Sequence, residues 1–243
     1  MRGQIKAVVF DYDDTLADTS LAKKEAFSRV AKLLALEFDG SVKLGQLISE
    51  INRVSEEMNR NLVYDRVIWW RQIGESQGFE VSKSLAMRAT IAYWNLFKRF
   101  TVPFPDAIPL LSDLKTRGYR LGMVTDTDGL AGIKRWRLSF SPVVDFLEVI
   151  IVSGEDTRKT KPDPYPFKLC AEKLGVEPSQ TIFVGDKPYT DVVGSKSAGM
   201  TSVLVGRRDW QKTMGADYVV KNLEEVRCLV ESVPQDTFRG VLE

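Results

Sequence analysis

Three observations predict an α/β fold carrying a large helical insertion. Beyond residue 101, short β-branched apolar runs alternate with helix-like segments. One further run of this kind, IKAVVF at Ile5 to Phe10, stands alone near the start. Between them, residues 19 to 100 show helical patterning with few strand signals. Alternation of this type argues for a parallel sheet with helices on both faces. The isolated first run then becomes a strand of that sheet. The expected domains are an α/β core of residues 1–16 and 102–243 and an all-α insertion at 17–101.

Taken in order, Ile5 to Phe10 is a buried strand that runs straight into FDYDDTLAD. Asp18 is placed to cap a helix. Four helices are expected at 20–36, 43–61, 64–77 and 83–100, with Gly40, Gly45 and Gly78 marking the breaks. The proline-rich TVPFPD marks the return to the core. DAIPLLSDLKTRG reads as a helix, YRLGMVTD as a strand, GLAGIKRWRL as a helix and FLEVIIVSGED as a strand. PYPFKLCAEKLGV is a helix, TIFVGD a strand, DVVGSKSAGM a helix, TSVLVG a strand and NLEEVRCLVES a last helix. Residues after Val233 read as a loose tail. The sheet this describes is Rossmann-like.

Composition narrows the chemistry. The 243 residues are 44% apolar, enough for a core, and the 34 basic and 33 acidic residues give a net charge of +1. Such a balance offers nothing to nucleic acid or to an anionic membrane. The apolar run Ala7 to Phe10 is too short for a signal peptide or a membrane span, so a cytoplasmic protein is expected. Histidine is absent, which removes His-based triads and His-ligated metals. Two cysteines, Cys170 and Cys228, build neither a four-thiolate zinc site nor a disulfide framework, and both are expected to be buried.

In open α/β sheets, ligands bind beyond the carboxyl ends of the strands. Four such ends are polar here. The first carries Asp11 and Asp13, the second Thr125 and Asp126. The third leads to Lys161, and the fourth holds Asp186 and Asp191. Crowded carboxylates call for a cation, and an oxygen-only ligand set favours Mg²⁺ over zinc. Thr125 can donate to a phosphate oxygen, Lys161 can neutralise phosphate charge, and Asp is a competent nucleophile. The segment GSVKLGQL has the two glycines of a phosphate loop but lacks its Lys-Ser/Thr, and it reads as a helix–helix connection.

These four pieces, VVFDYDDTL, GMVTD, KPDPYPF and GDKPYTD, together resemble the haloacid dehalogenase-like (HAD) superfamily. The likeness is to Mg²⁺-dependent phosphohydrolases with a helical cap inserted after the first motif. The resemblance implies that Asp11 attacks phosphorus to form an aspartyl-phosphate, and that Asp13 serves as acid and then base. It implies Mg²⁺ held by Asp11, the Asp13 backbone carbonyl and Asp186, with Asp191 acting from behind them on water or Lys161. Thr125, Asp126 and Lys161 would meet the phosphate of a small phosphorylated metabolite. Three positions depart from the pattern: Asp14 replaces a frequent glycine, Asp126 replaces Asn, and Lys187 replaces a small residue. A phosphomutase shares the same motifs. A phosphate-binding or signalling module without turnover is the alternative from another class. In the cap, Trp69, Trp70 and Trp94 read as core, and Arg53, Arg60, Arg66 and Arg71 as mostly solvated.

Overall fold

The structure is a computed structural model that describes residues 4–38, 41–207 and 212–232. The predicted tail after Val233, and Gly40, lie outside these residues. The chain divides into two compact units. One comprises Met1–Ala17, Pro103–Asp126 and Pro142–Glu243; the other comprises Asp18–Val102 and Thr127–Ser141. The sequence alone gives no reason to group 127–141 with the helices.

The first unit holds a six-stranded parallel sheet in the order β5-β4-β1-β6-β7-β8. Its strands are β1 (Ala7–Phe10), β4 (Arg120–Asp126), β5 (Val149–Ser153), β6 (Thr181–Gly185), β7 (Thr201–Val205) and β8 (Tyr218–Val220). β2 (Ala17–Asp18) and β3 (Val102–Pro103) form a separate two-stranded ribbon. All four residues of β1 are buried, as the continuous apolar run of a central parallel strand requires. Phe10 pairs with Met123 of β4 on one side and with Val184 of β6 on the other. The carboxyl ends of these three strands therefore lie side by side.

Helices α5 (Ala107–Thr116), α7 (Tyr165–Lys173), α8 (Val193–Ala198) and α9 (Leu223–Ser232) flank the sheet. α7 packs through Phe167, Cys170 and Ala171 onto Val9, Val124 and Phe183. A Cβ at Gly122 would stand 2.8 Å from Cys170 Sγ, so glycine there lets α7 lie close against β4.

The helical unit contains α1 (Ser20–Glu37), α2 (Leu44–Arg60), α3 (Arg66–Ser76), α4 (Lys83–Phe100) and the short α6 (Ile133–Leu138). Local caps set several ends. Asp65 accepts from the Val67 N–H at 2.8 Å and Ser82 from the Leu85 N–H at 3.2 Å. Asp18, expected to cap α1, accepts from the Ser20 N–H at 2.8 Å but lies one residue outside the N-cap, Thr19, which has no side-chain cap. Leu34, Leu47, Ile51, Trp69, Trp70 and Tyr93 share one core, against which Ile133 and Trp136 of α6 pack.

Several expectations need correction. β8 was not read from the sequence: it has three residues, two of them exposed, and offers no burial pattern. Gly45 does not break a helix but sits in the first turn of α2, so the end of GSVKLGQL is helical. The helix in GLAGIKRWRL is only Ile133–Leu138. Cys228 is exposed, whereas Cys170 is buried and burial pushes its thiol up to about 12. Among the described residues, no helix is long and apolar enough to cross a membrane.

Candidate active site

The first motif is a tight turn leaving β1. The Asp11 N–H donates to the Val184 carbonyl at 2.9 Å, extending the β1–β6 pairing by one residue. The Tyr12 carbonyl then accepts from the N–H groups of Leu16 and Ala17, both at 3.0 Å, and the Asp14 N–H donates to Ala17 at 2.7 Å. To close this turn Asp14 adopts φ +65°, in the left-handed region. That region favours glycine and tolerates Asp and Asn better than other side chains. The conformation accounts for the frequent glycine that Asp14 replaces.

The fourth motif leaves β6 at Gly185. Pro188–Val192 forms a single π-helical turn, a distortion frequent at functional sites. It points Asp191 back at the strand end, where its Oδ2 accepts from the Lys187 N–H at 3.0 Å. A Cβ on Gly185 would lie 2.4 Å from that oxygen, so this approach requires glycine. The N-cap residue of α8 is Val192, with no side-chain cap.

Lys161, 1% exposed, joins the two motifs. Its Nζ donates to Asp11 Oδ1 at 2.8 Å and to Asp191 Oδ1 at 2.7 Å. Burial opposes the charge on Lys161, but the carboxylates of Asp11, Asp191 and Asp126 outweigh it and hold its pKa well above the ordinary lysine value. Thr125 is buried at the end of β4. Its neighbour Asp126 has a positioning task that the sequence did not reveal. Asp126 Oδ1 accepts from the Lys161 backbone N–H at 2.9 Å and from the Ser153 hydroxyl, tying the loop that carries Lys161 to the strand end.

Asp186 is fully buried, with Thr15 Oγ1 3.5 Å from its Oδ1. Burial pushes its carboxyl up to about 7; Lys187 pulls it down, and Asp191, Asp14 and Asp11 push it further up. Asp191 is raised for the same leading reason, burial. Lys187 is half-buried. Burial works against its charge too, yet Asp186 and Asp11 hold its pKa above the ordinary range. Asp13 is half-buried, and its backbone bridges to Ala17.

The arrangement fits a hard divalent cation. One carboxylate oxygen from each of Asp11, Asp186 and Asp191 lies within 4.8 Å of the others, and all three residues are buried. Asp11 Oδ2 is buried with no hydrogen-bond partner among the described residues. A buried oxygen of this kind is costly unless something positive meets it. An all-oxygen set suits Mg²⁺.

A model of the haloacid dehalogenase-like hydrolases matches residues 5–199. The chain belongs to this family. A glyceraldehyde 3-phosphate phosphatase of Methanopyrus kandleri is 32% identical over 209 residues, covering 85% of this chain and 86% of the relative. A second glyceraldehyde 3-phosphate phosphatase, from Pyrococcus furiosus, is 29% identical and covers 94% of each chain. Among solved structures, a HAD phosphatase from Thermococcus onnurineus superposes with a TM-score of 0.67 at 28% identity. It covers 93% of this chain and 98% of its own. The chain thus has the HAD-like hydrolase fold, with features that suit phosphoryl chemistry on small phosphate esters.

Proposed function

We propose that this HAD-like hydrolase is a Mg²⁺-dependent phosphatase of small phosphate monoesters that works through an aspartyl-phosphate on Asp11. The observation that carries the reading is Lys161, buried and bonded to both Asp11 and Asp191 at 2.8 and 2.7 Å beside Asp186. Phosphoryl transfer is mostly positioning and neutralisation of charge, and this cluster supports both.

Asp11, Asp186 and the Asp13 carbonyl would hold the ion, with Asp191 behind them. When bound, Mg²⁺ supplies charge neutralisation for the transferring phosphoryl group. Asp11 attacks phosphorus as the bond to the leaving oxygen breaks, and Asp13 gives that oxygen its proton. Asp13 then takes a proton from water, which attacks phosphorus, releases phosphate and regenerates Asp11. Lys161 keeps Asp11 oriented and offsets phosphate charge. Thr125 donates a hydroxyl hydrogen bond to the phosphoryl group. Asp126 supports this chemistry through the Lys161 loop. The names of the relatives make a triose phosphate the first substrate to try.

The test is phosphate release from glyceraldehyde 3-phosphate and p-nitrophenyl phosphate. Activity is expected with Mg²⁺, and EDTA should abolish it. D11N should lose about 10⁴-fold or more in turnover while its circular dichroism stays native. Turnover retained in D11N would remove the nucleophile assignment, and full activity in chelator would remove the metal.

A further inference from the structure

The helical unit buries three tryptophans, and two of them have their indole N–H satisfied. Trp69 donates to the Val63 carbonyl at 2.8 Å and Trp70 to the Thr90 hydroxyl at 3.0 Å. The third, Trp94, is 2% exposed, and its Nε1 has no hydrogen-bond partner among the described residues.

Beside it lies Arg66, 8% exposed. Its guanidinium stacks 3.5 Å over the Trp69 ring and lies 5.0 Å from the centre of the Trp94 ring. Its Nη1 donates to the Tyr64 carbonyl at 2.9 Å, while its Nε, also buried, has no hydrogen-bond partner among the described residues. A second guanidinium, that of Arg137, lies 5.1 Å from the same Trp94 ring. Arg137 and Lys134 are ion-paired to Asp128 at 2.8 and 3.0 Å. Arg66, by contrast, meets aromatic faces, the Tyr64 carbonyl and the Tyr93 hydroxyl, none of them an anion.

Two neighbouring buried N–H donors, one of them cationic, are therefore unused. Buried donors are almost always satisfied, and a buried positive charge without an anion is unfavourable. Stacking on aromatic rings offsets part of this. It leaves both donors open.

We propose that Arg66 and Trp94 form a binding site for a small oxyanion, a carboxylate or a phosphate, that accepts a hydrogen bond from each. The anion is either free in solution or carried by a substrate as a second acidic group; the latter form rests on the phosphatase reading above.

The test uses the full chain labelled with ¹⁵N. The Trp94 indole resonance is identified by its loss in W94F. Titration with malonate, and separately with inorganic phosphate, in EDTA should move this resonance saturably. In R66Q the apparent Kd should rise about ten-fold or more, as expected for losing one charged hydrogen bond. A Trp94 resonance that neither anion moves, or that moves equally in R66Q, overturns the proposal.

If R66Q does not fold, W94F serves instead, because it removes the indole donor and keeps a smaller aromatic side chain in its place. Malonate should raise the melting temperature of wild type and not that of W94F; an equal rise in both overturns the proposal. The source of the anion is then read from kinetics on 3-phosphoglycerate and glyceraldehyde 3-phosphate, which differ in a carboxylate. A roughly ten-fold fall in relative kcat/KM for the acidic ester in R66Q assigns the anion to the substrate. An unchanged ratio, with free-anion binding seen in wild type and weakened in R66Q, assigns it to solution. If neither ester is hydrolysed, the phosphatase reading fails, and the titration still decides the anion site.

Discussion

In the α/β unit the ammonium of Lys161 sits between two carboxylates, 2.8 Å from Asp11 and 2.7 Å from Asp191. In the helical unit the guanidinium of Arg66 lies 3.5 Å over the Trp69 ring and hydrogen-bonds a carbonyl. Both cations are buried, and their surroundings have opposite electrical consequences. Around Lys161 the carboxylates outnumber the ammonium bonded to them, and what remains is a demand for more positive charge. Around Arg66 the aromatic faces stabilise the cation without cancelling it, and what remains is a demand for an anion. The first surplus suits a divalent cation, and the second suits the acid group proposed above.

Removing each cation tests the contrast most sharply. Lys161→Met leaves Asp11 and Asp191 buried without their shared partner. Breaking a buried pair in this way costs about 3–5 kcal/mol. Arg66→Met removes a charge that abandons no carboxylate and keeps an apolar stem against Trp69. Its cost should be about 1–2 kcal/mol, the worth of a desolvated cation–π contact and lost packing. Urea unfolding of the metal-free proteins measures both. Equal losses would mean that Arg66 is held by something other than the rings.

The acid surplus around Lys161 also gives a pH signature. Asp186 is held at about 7 in the folded chain against an ordinary value of 3.8. Its folded pKa is raised, so between these values the folded state holds a proton that the unfolded state has lost. The contribution is complete below about 4 and disappears as pH rises through 7. Metal-free protein should therefore lose melting temperature over this window relative to Asp186→Asn, which cannot titrate. Mg²⁺ should restore it most at the high end, because a carboxylate ligand must be ionised to bind. Parallel melting curves for the two proteins from pH 4 to 8 would mean that burial does not raise Asp186.

The two units also differed in how far they could be read from sequence. Asp11, Lys161, Asp186 and Asp191 were legible because each follows an apolar run, and a parallel sheet gathers strand ends on one edge. The helices were legible from their helical patterning and from breaks such as Gly78, while the caps Asp65 and Ser82 emerged only from the structure. What failed depended on long-range packing. Asp126 looks like an extra negative charge near a phosphate; its hold on the Lys161 backbone spans 35 residues of sequence. Arg66 looks like its solvated neighbours Arg53 and Arg71, and only the aromatic rings around it reveal its burial. The segment 127–141 gives no sequence sign of the helices it joins. Gly129, at φ +90°, presses its backbone against Asp65, where a Cβ would stand 2.4 Å from the Asp65 Cα.

The smallest expected effect concerns Asp14, where charge and backbone can be separated. Asp14 is buried at φ +65°, and its carboxylate is one of the groups that push Asp186 up. Asp14→Asn keeps a residue that tolerates the left-handed region and removes only the charge. The loss of melting temperature between pH 4 and 7 should become shallower than in wild type, though less so than in Asp186→Asn, because burial is the leading cause and remains. Asp14→Gly removes the same charge and also relaxes the backbone. Glycine's larger unfolded-chain entropy opposes that relief, so stability should move by no more than about 1 kcal/mol. Thermal melts of the three variants across this pH range in EDTA separate the terms. If Asp14→Asn keeps the wild-type slope, Asp14 is not felt at Asp186, and the acid surplus there belongs to Asp11 and Asp191 alone.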